Sequence, residues 1–334
     1  MGTSNGAVET AARYRQFREL SASPQPEGEQ GTIKPTISQR PTTGYLMVAC
    51  GAILFGINGN ISTLLFNDGV TPLTLISFRM LIGGVCLLVV MLFWQRSALK
   101  APRRHWAWMV VFGLVLAMST FTYFLAISHL PLAVALVIIF TSATWIALGE
   151  ALWQRRMPSF QVLISLALSL TGVVLLTGIW RASLNNLNAL GLFYALLALV
   201  AYTAYLLCGR RVGRYLPSIT STGYGAIVAS IFWFSVQPPW AIPAKTWSPY
   251  HIVLIVLVGI IGMALPFALL VGGLRRVDAA RVGIVAMLEL PASGIIAYFL
   301  LGQRLDIGQI AGCLFVLAGV LALQNGKSAV QTDV

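Results

Sequence analysis

Leu136–Arg155 reads LVIIFTSATWIALGEALWQR, and Val285–Arg304 reads VAMLELPASGIIAYFLLGQR. At a shift of 149 residues the two stretches lie over one another, and Gln154-Arg155 falls on Gln303-Arg304. Each is an apolar run of about the 20 residues that one membrane-crossing helix needs. A shift of 145 residues lays Pro72 over Pro217, so the two registers differ by a few loop residues. The chain reads as two copies of one pattern.

Outward from this repeat, ten apolar segments succeed one another: Gly44–Phe66, Leu73–Trp94, Trp106–Ser128, Leu132–Trp153, Phe160–Trp180, Ala189–Cys208, Ser218–Gln237, Tyr250–Gly272, Ala279–Leu300 and Ile307–Gln324. Segments 1–5 correspond to segments 6–10. Five crossings bring the chain into its second half from the opposite side of the membrane, so that half stands upside down. The expected fold is an all-α membrane protein, ten transmembrane helices built as two inverted five-helix repeats. Residues 44–180 form the first repeat and 189–324 the second. Residues 1–43 read as a disordered cytoplasmic tail, being polar and without an apolar run, and 325–334 as a short cytoplasmic tail. Inverted repeats typically build alternating-access transporters, with the substrate site near the midplane between the halves.

Composition agrees. Of the 334 residues, 57% are hydrophobic and only 10% charged, against roughly 25% charged in a soluble domain. Mean hydropathy is +0.82. These values exclude an ordinary water-soluble enzyme. Trp94, Trp106, Trp153, Trp180 and Tyr250 stand at segment ends, where an interfacial aromatic belt belongs. The net charge of +12 would suggest nucleic acid in a soluble protein; here it is loop bias. With the N-terminus inside, the inner loops hold 12 Lys and Arg, from Arg96 through Arg281, and the outer loops hold Arg181, Lys245 and Arg304. That asymmetry puts both termini in the cytoplasm of a multi-pass protein of the plasma (inner) membrane.

Three sequence features carry a resemblance: Phe55-Gly56-Ile57-Asn58 in segment 1, PLTLISFR (Pro72–Arg79) entering segment 2, and Ala126-Ile127-Ser128 with Gly302-Gln303-Arg304-Leu305 before segments 4 and 10. On these the chain resembles the drug/metabolite transporter superfamily in its ten-helix form with two EamA domains. Within that family it looks most similar to inner-membrane exporters of amino acids such as threonine and homoserine, through Leu132–Pro158 and Ala264–Leu305. The resemblance implies transport rather than catalysis. It departs from the family pattern at Phe55, where Trp is usual, at Ser142, where a proline is usual, and at Gln154 and Gln303, where an acid is usual.

Once loops and tails are set aside, Arg79, Glu150 and Glu289 are the charges left inside apolar segments. A charge at the bilayer centre costs about 2.5–3.5 kcal/mol even on insertion scales, so each needs a cavity or a partner. Glu150 lies near the inner end of segment 4 and is expected to pair with Arg155 or Arg156. Arg79 sits about 10 Å deep from the outer side and Glu289 about 15 Å deep from the inner side, at 1.5 Å per residue. In a core about 30 Å thick they stand at nearly one level. Three readings stay open: a pair that joins the halves, a grip on a zwitterion with Arg79 on a carboxylate and Glu289 on an ammonium group, and proton coupling through Glu289.

Asn58, Asn60, Tyr123, Trp145, Tyr202 and Tyr205 complete the expected substrate-binding set, as polar or amphipathic side chains at matching places in the two halves. Pro266 and Pro291 break backbone hydrogen bonds and are expected hinges. Small residues in segment 5 (Ser165, Ser169, Gly172) and segment 10 (Gly308, Gly312, Gly319) read as close-packing faces, within the protomer rather than between protomers. The sequence has no phosphate loop, nucleophile elbow or paired-carboxylate motif, so no catalytic residues are assigned. Cys50, Cys86, Cys208 and Cys313 read as packing residues, and with the histidines at segment ends no metal site and no cofactor are expected. The expected partners are the lipid bilayer and a small-molecule substrate, with room for proton coupling and a homodimer, and no nucleic acid. The function expected is a secondary transporter exporting amino acids or similar small metabolites. Its rivals are export of drug-like cations or sugar-linked metabolites, an intramembrane enzyme, or a channel.

With the native cysteines replaced, single cysteines at positions 245 and 100 should differ in whole cells. An impermeant thiol reagent should label 245 and leave 100 unlabelled; the reverse pattern would invert the topology.

Overall fold

In hydrocarbon no water takes the bonds of an open peptide group, so a chain this apolar crosses as helices. A computed structural model describes residues 41–94, 96–99, 105–130, 132–155, 157–179, 188–242, 247–302 and 305–325. Among them every long element is helical, and no strand occurs. The ten crossings are α1 (Pro41–Asn67), α2 (Pro72–Trp94), α3 (Trp106–His129), α4a (Leu132–Phe140) with α4b (Ser142–Gln154), α5 (Phe160–Thr177), α6 (Ala189–Tyr215), α7 (Ser218–Val236), α8a (Pro249–Gly259) with α8b (Leu265–Leu274), α9a (Ala279–Ala286) with α9b (Glu289–Leu301), and α10 (Ile307–Asn325). Among the described residues nine spans are long and apolar enough to cross a bilayer, and Ile307–Leu323 adds a shorter apolar helix. Residues 1–40 of the expected 1–43 tail, the loop sites at Lys100 and Lys245, and Gln303-Arg304 lie outside the described residues; Pro41, Thr42 and Thr43, expected in that tail, are instead the start of α1.

Packing follows the two-fold logic of an inverted repeat. Exchange helix n with its mate in the other half, and the principal contacts recur, although α8b also packs on α6 and α7 without a comparable contact of α3 on α1 and α2. α2 packs on α7, α4b on α9a, and α5 on α10, each helix on its own mate. α1 packs on α8b as α6 packs on α3, and α1 on α9b as α6 packs on α4. Small residues allow the closest approaches. A Cβ at Gly172 would stand 2.7 Å from the Gly312 carbonyl, and one at Gly312 would stand 2.6 Å from the Leu176 nitrogen. The segment 5 and segment 10 small-residue faces therefore meet inside one protomer. Apolar side chains also cover the outside: Trp94, Trp106, Trp153 and Tyr250 are all exposed at helix ends, as a membrane interface requires.

Three crossings are broken. Segment 8 carries one five-residue π-turn, Ile260–Ala264, immediately before Pro266, and Leu265 N–H reaches back five residues to the Ile260 carbonyl. Proline has no N–H and its ring collides with the carbonyl four residues earlier, so the turn widens. Segment 9 breaks at Met287-Leu288, where Met287 N–H donates to Ile284 O at 3.2 Å and Leu288 N–H to Val285 O at 3.1 Å. Pro291 cannot supply the donor for Met287 O, and Leu290 N–H does so at 3.1 Å. Segment 4 breaks at Thr141 without a proline. There the threonine hydroxyl donates to Ile138 O at 2.6 Å, a local bond that competes with the helix ladder. The breaks in segments 4 and 9 thus occur in repeat mates, and α4b and α9a cross with Gly283 against Ala143.

One boundary needs correction. Segment 6, expected to end at Cys208, continues as α6 to Tyr215. Arg210, Arg211 and Arg214, assigned to a loop, are helical. Tertiary partners hold the last two turns: Arg210 bonds Glu150 and Asp278, Arg211 lies 4.7 Å over the Trp108 ring, and Gly213 packs against Arg275.

Gly312→Ala should destabilise the detergent-solubilised protein by about 1–3 kcal/mol, since the new methyl meets backbone that cannot rotate away. Gly149→Ala, where a Cβ meets nothing within 4 Å, should be neutral or slightly stabilising. Thermal unfolding of the two variants side by side checks this, and equal midpoints would refute it.

Candidate functional site

Four helices from the two halves bring charge to one interior region. Arg79 comes from α2, Tyr123 from α3, Tyr202 from α6, and Glu289 from the first turn of α9b. Arg79 and Glu289 interact electrostatically, and both tyrosines feel the Glu289 charge. Arg79, Glu289, Tyr123 and Tyr202 are all half-buried. The ion pairs among the described residues are Arg210–Glu150, Arg210–Asp278, His251–Asp68 and Arg281–Asp278. Arg79 and Glu289 are thus near one another without being in ion-pair contact, and the buried Arg79 Nε has no hydrogen-bond partner. The break before α9b puts Glu289 in the first turn of that helix, at the positive end of its dipole.

The other expected site residues divide. Asn58 is 6% exposed, and its side-chain oxygen has no partner. It lies against the π-turn of segment 8, where a Cβ at Gly262 would overlap it. Asn60 is fully engaged in joining helices: its amide donates to Gly56 O at 2.9 Å, Ser293 O at 3.0 Å and Ser293 Oγ at 3.1 Å. Tyr205 is 1% exposed and stands in an aromatic stack, 5.5 Å from Phe112 and 5.8 Å from Phe267. Tyr202 lies 6.0 Å from Tyr205, between that stack and the charges. Trp145 is 58% exposed, unlike the rest of the set. Pro266 and Pro291 sit at the breaks of segments 8 and 9.

Glu150 requires a correction. Among the described residues it makes no ion pair with Arg155, and Arg156 lies outside them; its carboxylate accepts from Arg210 at 2.6 Å, across the two halves. Sequence reasoning missed Arg210 and Asp278, since both were placed in loops. A signal was present: Asp278 is the acid immediately before the Ala279-Ala280 helix start, flanked by Arg275, Arg276 and Arg281. Among the described residues no group of three His, Cys, Asp or Glu is arranged to hold a metal ion.

Comparison with known proteins places this geometry. The EamA-like transporter family model matches residues 42–178 and again residues 189–324. The uncharacterized transporter YcbK of Bacillus subtilis is 21% identical over 305 residues, covering 85% of this chain and 95% of that protein. The threonine/homoserine exporter RhtA of Escherichia coli K12 is 25% identical over 290 residues, covering 85% of this chain and 90% of its own length. A solved crystal structure superposes with a TM-score of 0.72 at 17% identity, covering 87% of this chain and 99% of that one, a likeness of fold.

A double-mutant cycle on Asn60→Ala and Ser293→Ala should give a coupling of about 0.6 kcal/mol, at most about 1.7, as for other polar contacts between membrane helices. Unfolding in mixed micelles measures it; simple additivity would mean that the Ser293 hydroxyl contributes nothing and that only the bond to the Ser293 carbonyl joins α1 to α9b.

Proposed function

The chain belongs to the EamA-like transporter family of the drug/metabolite transporter superfamily, and we propose that it exports amino acids or similar small zwitterions by alternating access. In this reading Arg79 binds the carboxylate and Glu289 the ammonium group. Tyr123 and Tyr202 line the space between, and Asn58, whose side-chain oxygen lies against Gly262 without a hydrogen-bond partner, is assigned to the same site. The carrying observation is the separation of Arg79 and Glu289. They come from opposite halves, sit half-buried in one region, and leave their charges uncompensated by a direct ion pair. Two buried opposite charges that served only to join helices would gain most by closing to contact. Held apart, they suit a ligand carrying both opposite charges. The relatives named as threonine/homoserine exporters support that class. The helix breaks in segments 4 and 9 support alternating access, since interrupted segments in corresponding positions mark the binding region of inverted-repeat transporters. The charge bias of the loops supports a plasma-membrane orientation with both termini inside.

Everted vesicles loaded against a panel of amino acids, with and without a proton gradient, test the reading directly. Glu289→Gln and Arg79→Gln should each insert normally, since removing a charge lowers the transfer cost. Each should lose transport by about 10- to 100-fold, the worth of a charged hydrogen bond of about 1.5–3 kcal/mol. The double variant should fold and remain inactive. Wild-type transport by that double variant would remove Arg79 and Glu289 from the substrate site.

A further inference from the structure

We propose that the end of the bundle carrying the loop arginines is closed by a two-layer gate, an aromatic plug around Tyr205 and, outside it, an ionic latch centred on Arg210. The inference rests on the alternating-access reading above and adds the groups that must part. α6 supplies both layers. Tyr205 lies one turn beyond Tyr202, and Arg210 about 12 Å beyond Tyr202 at 1.5 Å per residue. The Tyr205 ring packs on Phe112 of α3 and Phe267 of α8b, and Phe267 meets Phe55 of α1 at 4.9 Å. Two helices of each half therefore meet edge and face at one level. The Tyr205 hydroxyl is buried there without a partner. A closed plug that leaves a hydroxyl dry is less stable than its packing alone implies, and opening to water relieves that penalty.

The second layer is polar. Arg210 donates to Glu150 of α4b and to Asp278, the residue preceding α9a. Arg281 lies 4.0 Å from the same aspartate and 3.4 Å from the Tyr45 hydroxyl of α1. The cluster ties α1 and α4b of the first half to α6 and α9a of the second. Its four charged side chains are 24–48% exposed. Half-wetted ion pairs exchange readily for water, whereas dry ones resist breaking. A latch that opens every cycle needs the first kind. The repeat does not impose it: at the 149-residue shift, Glu150, Asp278 and Arg281 fall on Phe299, His129 and Leu132. The opposite end has one contact between halves of this type among the described residues, His251 to Asp68 at 3.3 Å. The latch is a feature added to one end of a symmetric frame.

Thr203 is a suitable reporter, two turns deeper on the Arg210 face of α6, with its hydroxyl buried. In the full-length protein with Cys50, Cys86, Cys208 and Cys313 changed to Ala, Thr203→Cys is labelled by an impermeant maleimide in everted and in right-side-out vesicles. Arg210→Gln and Glu150→Gln should each speed labelling by about fivefold, the upper range for one half-exposed pair, and only from the arginine-bearing face. Arg210→Lys should fall between. Unchanged rates in inserted Glu150→Gln and Arg210→Lys proteins would overturn the gate, as would equal acceleration from both faces, which marks general loosening. The readout needs no substrate. Labelling that shifts in a protein that exports no amino acid keeps the gate and removes the substrate reading; normal export with unmoved labelling does the reverse.

Discussion

Inside a bilayer, backbone N–H and C=O groups must bond to the protein itself, because nothing else there can take the bond. That requirement makes each of the ten apolar segments helical. It also gives meaning to the places where the helices fail. α4, α8 and α9 are interrupted at Thr141, at Ile260–Ala264 and at Met287-Leu288, all within the crossings. Each interruption is tolerated because neighbouring protein shields it: Asn58 lies against the π-turn, and α4b covers α9a at Gly283. The freed groups are partly re-bonded by three-residue turns and by the Thr141 hydroxyl. What remains is a locally pliable backbone beside the most polar part of the interior.

Charge is used sparingly. Arg79 and Glu289 are the deep pair, and they stop short of contact. Glu150 and Arg210 lie nearer an end, touch directly and are half-wetted. The difference follows from cost. A deep charge is retained only where something offsets its desolvation, and a shallow one can keep water and a partner together. In the proposed function, the uncompensated deep pair is the region for a doubly charged ligand and the compensated shallow pair the one that opens and closes.

The two halves share a frame and differ in detail. The principal neighbour relations survive exchange of the halves, but α8b packs on α6 and α7 where α3 makes no comparable contact with α1 and α2. Side chains do not: Ser142 stands where Pro291 stands in the mate, and Phe299 where Glu150 does. Segment 4 still breaks, by a threonine hydroxyl rather than by a missing N–H. The break belongs to the fold, and different residue chemistry produces it in each copy.

Length, hydropathy and the 149-residue shift were enough to read ten helices and their arrangement as two repeats, because these depend on local periodicity and on transfer cost residue by residue. The prolines marked two of the three breaks for the same reason. Partner choice was not legible. Glu150 was placed with its sequence neighbours Arg155 and Arg156, and its partner is Arg210, sixty residues on, held in reach because α6 runs to Tyr215. Asn60 looked like a cavity residue and is committed to Ser293, 233 residues away. Tyr205 was expected to bind substrate and is buried in an aromatic stack drawn from four helices. In each case the decision lies in which helix faces which. That depends on small residues such as Gly213, Gly283 and Gly312 admitting close approach to residues far away in the chain, such as Arg275, Ala143 and Gly172, and no local pattern encodes it.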